Sequence, residues 1–199
     1  MFERIKNMIL SPKKEWGVIG DENASQGKLF MKYVLPLSLI STVAVFIGYG
    51  LIGVSFFGVH FHSVEWGIRQ AIVQWVSLVG GIYVAAIVIN LLAEKFQATK
   101  DFDKAFAVVA YSYIPALLGG IFYILPSLSV LALIPAIYSL YLLYTGLQPL
   151  MKVPAEKNTV YFIVSLLVLI VVAVVFSAVL NAIFVKSFMS NIYTTPAFY

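Results

Sequence analysis

The residues with metal-binding or catalytic side chains are few, and the best cluster of them is short. The two histidines, His60 and His62, stand ahead of Glu65 in the order H-x-H-x-x-E. Alternate residues of an extended segment point the same way, so the three could grip a divalent metal. A catalytic zinc needs three protein ligands and an open position, and the chain has no cysteine to reinforce the set. Two histidines without an assured third ligand are more often solvated. His60, His62 and Glu65 are therefore a metal candidate at most, and the expectation is no metal and no other cofactor. There is no H-E-x-x-H, no glycine loop ending in Lys-Ser/Thr and no aspartate pair, so no catalytic residue is assigned.

A second set is polar without being ionisable. Asn90, Asn181 and Gln74 lie in apolar surroundings, where an unpaired amide costs several kcal/mol, so each is expected to find an interhelical partner or to line a polar path. Ser77, Gly81 and Ala85, then Ser112, Ala116 and Gly120, then Ala173, Ser177 and Asn181 recur at every fourth position. Such lines let helix backbones approach closely, and plain packing is the first reading of them. Tyr138, Tyr141, Tyr144 and Gln148 form a helical stripe, read as anchors at headgroup depth or as a groove.

The elements that position these residues must cross a membrane. The 199 residues are 61% hydrophobic and 11% charged, against about 25% charged in soluble domains. Three long apolar runs, at about 31–57, 70–93 and 159–185, exceed the ~20 residues that a crossing needs. Between them, Ala105 to Leu147 carries no charge. As one helix it would reach about 65 Å, twice the hydrocarbon thickness. It must fold back, and Pro126-Ser127 is the natural turn, giving spans at 105–125 and 127–147. The expected fold class is an all-α integral membrane protein, a five-transmembrane-helix bundle forming one domain over residues 1–199.

Residues 1–30 read as a cytoplasmic or interfacial segment and not as a signal peptide, since acids and bases crowd them without an apolar core. Phe2, Ile5, Met8 and Ile9 share one face, which suits a short helix lying in the interface. Ser11-Pro12 opens a second helix, with the serine oxygen as its cap. Lys13, Lys14 and Trp16 then suit headgroup depth. Eleven of the thirteen basic residues fall before the first span and in the second and fourth loops; only Arg69 and Lys186 fall on the other side. Cytoplasmic loops carry such an excess, which puts the amino terminus inside and the carboxyl terminus outside. These cations are topology signals and lipid contacts, and no nucleic-acid partner is expected.

Four stretches form a recognisable set: Ile9-Leu10-Ser11-Pro12-Lys13-Lys14-Glu15-Trp16, Asp103-Lys104-Ala105-Phe106, Ala110-Tyr111-Ser112-Tyr113-Ile114-Pro115, and Tyr138 to Leu147. In these and in the order of its features the chain resembles the bacterial branch of the Yip family, membrane proteins whose eukaryotic relatives interact with Rab-type (Ypt) GTPases. The resemblance implies five spans and a cytosolic amino terminus, in agreement with the charge count. The long amino-terminal region of the eukaryotic members, with its Asp-Leu-Tyr-Gly-Pro type motif, has no counterpart here, so Rab binding is not carried over.

The reading that follows is a non-enzymatic scaffold or membrane-organising protein of a bacterial inner membrane. Its partners would be the bilayer and other membrane proteins or further copies of itself. The alternative is a small-solute transporter or channel, whose path would use Asn90, Ser112, Asn181 and the tyrosines, with helices broken at Pro115, Pro126 and Pro135. A metal-dependent membrane enzyme at His60, His62 and Glu65 comes third.

Overall fold

A computed structural model describes residues 1–22, 24–56, 59–172 and 174, without the side chains of 54–61. Two short helices, α1 (Phe2–Leu10) and α2 (Pro12–Asp21), precede five long ones. These are α3 (Gln26–Ile52), α4 (Val64–Phe96), α5 (Phe102–Ile124), α6 (Pro126–Met151) and α7 (Ala155–Val172), each long and apolar enough to span a bilayer.

The ends of the first two spans differ from expectation for local reasons. Helix α3 begins at Gln26 and stops at Ile52, because Gly53 adopts φ 82°, a conformation that side chains with a Cβ resist. The apolar residues that follow form a small antiparallel hairpin, β1 (Val54–Phe56) with β2 (Val59–Phe61), in which Ser55 pairs with His60. Helix α4 starts early, at Val64. There the Ser63 hydroxyl accepts from the Trp66 amide at 3.4 Å, and Glu65 pairs with Arg69 one turn on, at 2.7 Å.

The charge-free run folds back as expected. Leu125, forced out of helical space by Pro126, is extended at φ −111°, ψ 104° and alone separates α5 from α6. Helix α5 is also interrupted at Tyr113, so that Pro115 opens a fresh helical turn. This helix is the core of the bundle: 72% of its most apolar stretch is buried, against at most 39% in the other spans. Ala105 to Ser112 are buried without a break.

Close approaches around α5 depend on glycine. A Cβ on Gly120 would overlap the Ser41 hydroxyl, which donates to the Leu117 carbonyl at 2.6 Å. Near the opposite end of the spans from α2, Gly50 and Gly67 bring α3 and α4 into backbone contact. Gly81 does not join this pattern: among the described residues nothing lies within 4 Å of a Cβ built there. The expected packing role of Gly81 thus has no described partner, whereas that of Gly120 has one. Helix α7 is fixed to α4 by the Tyr161 hydroxyl, which donates to the Ile89 carbonyl, and by stacking of Tyr161 on Phe96 at 5.0 Å.

Replacing Gly120 by leucine forces α3 and α5 apart and is expected to cost about 1–3 kcal/mol or more. Leu91→Ala, at a side chain 62% exposed to the membrane side, is expected to cost little. Thermal unfolding in detergent compares the two; equal midpoints would contradict the packing described.

Candidate functional site

The segments that were separate in the sequence meet at one end of the bundle. Helices α1 and α2 form a hairpin laid along α5 and α6. Its seat is Trp16, which is 1% exposed. The indole fits where Gly146 has no side chain: a Cβ there would come within 2.6 Å of the ring and 2.7 Å of Val108. Its Nε1 donates to the Thr145 hydroxyl at 3.2 Å, and its ring meets Tyr111 edge-on at 6.4 Å. Ile5 and Met8 of α1 are buried alongside.

Three expectations are corrected here. Trp16 is packed inside the protein and is not free to contact lipid headgroups, because Gly146 provides a notch that its size fills. Helix α1 turns Ile5 and Met8 to the bundle and leaves Phe2 84% exposed, so the apolar face is divided between protein and surroundings. The Ser11 hydroxyl makes no capping bond; its carbonyl accepts from Lys14 and Glu15 amides instead.

Polar contacts set the register of the hairpin. Arg4 reaches Glu15 through Nε at 2.9 Å and grips both oxygens of Glu22 at 2.7 Å. Asn7 donates to the second oxygen of Glu15 at 3.0 Å. Glu15 is buried, and these two donors are what make its burial tolerable. The bidentate bond to Glu22 raises the Arg4 pKa, while Arg4 holds the Glu22 carboxyl below its ordinary value. At the far end of α2, the Lys104 ammonium donates to the carbonyls of Gly20 and Glu22, both at 2.8 Å. Asp103, beside it, accepts from the Gln26 amide at 2.7 Å and so caps α3.

Behind Arg4 lies a cavity of about 210 Å³, lined by Arg4, Glu22, Lys28, Lys32, Tyr33 and Tyr111. The Arg4 guanidinium sits 5.8 Å above the Tyr111 ring, and Nη1 is 3.5 Å from the Tyr111 hydroxyl. Tyr33 meets Tyr111 edge-on at 5.1 Å. The wall from α3 includes a π-helical turn, Phe30–Val34.

The other predicted residues are dispersed. The Tyr138 hydroxyl donates to the Ile9 carbonyl at 2.7 Å, and its ring packs on Tyr141 at 5.6 Å. Tyr144 faces the other way, bonding Thr159 at 3.1 Å and packing on Phe162. The stripe is therefore split between α1 and α7. The Asn90 Oδ1 and Ser112 Oγ are buried and have no hydrogen-bond partner among the described residues. Asn181 lies outside the described residues. So does the side chain of His60, while His62 is exposed and Glu65 is engaged by Arg69. Among the described residues no three metal-binding side chains come together.

Arg4, Glu15, Glu22, Lys28, Lys32, Tyr33 and Tyr111 were not assigned to a site from the sequence. The only signal for them was the Tyr111 element and the basic run before the first span.

A bundle of five membrane-length helices, with its amino-terminal helices docked against two of them, defines a polytopic α-helical membrane protein. A family model of the Yip1 domain matches residues 6–190, and the chain belongs to the Yip family. No curated protein and no solved structure matches it.

Glu22 has a lowered pKa in the folded chain, so its contribution to docking is complete above its ordinary value of 4.5. It is lost as the pH falls from there through the lowered folded value. The protection of amides 2–21 against hydrogen exchange, taken relative to the intrinsic rate at each pH, is expected to fall in that window. Glu22→Gln should show the lower protection already at neutral pH and little further loss on acidification. Protection in the unsubstituted chain that does not change with acid would contradict the role given to Glu22.

Proposed function

We propose that this Yip-family protein is a non-enzymatic scaffold that organises partners at the cytoplasmic face of a bacterial inner membrane. The observation that carries this reading is the convergence of the four family-like segments on one structure: Trp16 from the first, Asp103 and Lys104 from the second, Tyr111 from the third, and Thr145 with Gly146 from the fourth. Trp16, Lys104, Tyr111 and Thr145 with Gly146 hold the helical hairpin on the bundle while Asp103 caps α3, which supports a role in binding. The hairpin presents Leu10 and Val18, 68% and 50% exposed, together with Lys13 and Lys14. Exposed apolar residues ringed by charge are what a docking face requires.

The orientation is inside for the amino terminus and outside for the carboxyl terminus, on the strength of the basic residues, and residues 1–199 act as one domain. No acid or base falls in the middle of any span, which supports a role without proton-coupled or hydrolytic chemistry.

A transport reading has one observation in its favour. Asn90, Ser112 and Ser165, on α4, α5 and α7, each carry a buried polar atom without a partner among the described residues, as a polar path would require.

Reporter fusions after Lys157 are expected in the cytoplasm and fusions after Tyr199 outside; a cytoplasmic carboxyl terminus would overturn the orientation. For the role itself, a photo-crosslinking residue at Val18 should capture a second membrane protein or another copy of the chain, and Gly146→Leu should abolish the capture. Solute uptake by proteoliposomes, without capture, would favour the transport reading.

A further inference from the structure

The cavity behind Arg4 has the features of a ligand site, and the docking of the hairpin does not use them. Among the described residues Glu22 is its only carboxylate, and both oxygens of that group are taken by Arg4. The charge left facing the cavity is that of Lys28 and Lys32, one helical turn apart on α3. Lys28 has no carboxylate partner among the described residues. Lys32 has no ion pair among the described residues; its Nζ lies 5.6 Å from the Tyr33 ring centre, and its charge is near enough to Glu22 to help hold that carboxyl ionised.

The inner wall supplies donors. Tyr33 and Tyr111 are 3% and 2% exposed, and neither hydroxyl has an acceptor for its proton among the described residues. The Tyr33 hydroxyl is not among the fully buried unpaired polar atoms, and the Tyr111 hydroxyl accepts from Arg4, so both protons are left for an acceptor in the cavity that the two residues line. The π-helical turn at Phe30–Val34 carries both Lys32 and Tyr33, and such turns recur at functional sites. Two free ammonium groups at the mouth and two phenol donors on the wall suit an anion rich in acceptors. The volume, about 210 Å³, is room for several waters at about 30 Å³ each, or for one phosphate-bearing group.

We propose that this cavity binds a phosphate group, carried on an anionic lipid headgroup or free in solution. The lysines neutralise the anion and the two phenols donate to its oxygens. Lys28 and Lys32 stand at the start of the first span, where lipid phosphates lie. Arg4 frames the cavity and is held by its carboxylates, so it orients the phenol of Tyr111 and does not bind the anion itself. The site is independent of whether the hairpin recruits a protein partner.

The test is calorimetry on the full-length chain in a neutral detergent at neutral pH, titrated separately with short-chain phosphatidylglycerol, short-chain phosphatidylcholine and inorganic phosphate. Saturable one-to-one binding of phosphatidylglycerol but not phosphatidylcholine is expected. Inorganic phosphate that also binds makes free phosphate a sufficient ligand; inorganic phosphate that does not bind assigns the site to the lipid. The double substitution Lys28→Ala with Lys32→Ala, both on exposed side chains, should weaken binding about thirtyfold. Tyr111→Phe should weaken it while leaving Arg4 and Glu22 paired. Lys13→Ala with Lys14→Ala should leave it unchanged. No saturable binding, or an equal loss in the Lys13 and Lys14 double variant, would overturn the proposal, because the attraction would then belong to the basic surface at large.

Discussion

The structure turns on the seat of one indole. Trp16 is the largest fully buried side chain, and it is inserted where Gly146 leaves a gap beside Val108. Truncating a buried aromatic of this size costs about 3–5 kcal/mol, whereas a part-exposed ion pair such as Arg4 with Glu22 contributes about 0.2–1 kcal/mol, and the buried Arg4–Glu15 pair offsets the desolvation of its own charges. The comparison decides which interaction holds the hairpin and which tunes it. Burial of Trp16, Ile5 and Met8 supplies the attachment. The Arg4 bonds to Glu15 and Glu22, with Glu22 about half-exposed, fix the register in which α1 lies on α2. With the hairpin in place, Lys104 can close the carbonyls of α2 and Asp103 can cap α3, so the entrance to the first span follows from the same seat.

Within the membrane the controlling demand is that backbone polar groups be satisfied inside each helix. Two of the prolines stand where the chain turns or restarts, while Pro149 is carried inside α6 near its end. Pro115 stands in the first turn of a renewed helix after Tyr113, and Pro126 forces the extended residue that reverses the chain. The reversal sets α5 against α6, and Gly119 accepts the ring of Pro135 where the two helices meet. Helix α5 becomes the buried axis because α3, α4 and α6 all need an apolar face to pack on, while their outer faces meet lipid.

The number of spans, the hairpin at Pro126 and the family were legible in the sequence, because each rests on local quantities: the length of apolar runs, the restriction before proline and short motifs. The end of the first span was less so. Val54 to Phe57 continue the apolar run, and only the backbone of Gly53 reveals that helix gives way to a hairpin there. The site at the amino-terminal end was hidden for a different reason. Arg4 lies eleven residues from Glu15 and eighteen from Glu22, and they meet only because the chain reverses at Ser11-Pro12 and docks. Tyr111 joins them from a helix more than a hundred residues away. The lysines were read as topology signals, which accounts for their number and not for the cavity that two of them line.

The central claim is that Trp16 anchors the amino-terminal helices inside the protein and not in the lipid headgroups. A chain carrying Trp66→Phe and Trp75→Phe leaves Trp16 as the only tryptophan, and its fluorescence in nanodiscs measures its surroundings directly. The account predicts blue-shifted emission, protected both from acrylamide and from brominated lipid, and loss of that protection in Gly146→Leu. Emission quenched by brominated lipid in the unsubstituted notch, or unaltered by Gly146→Leu, would contradict it.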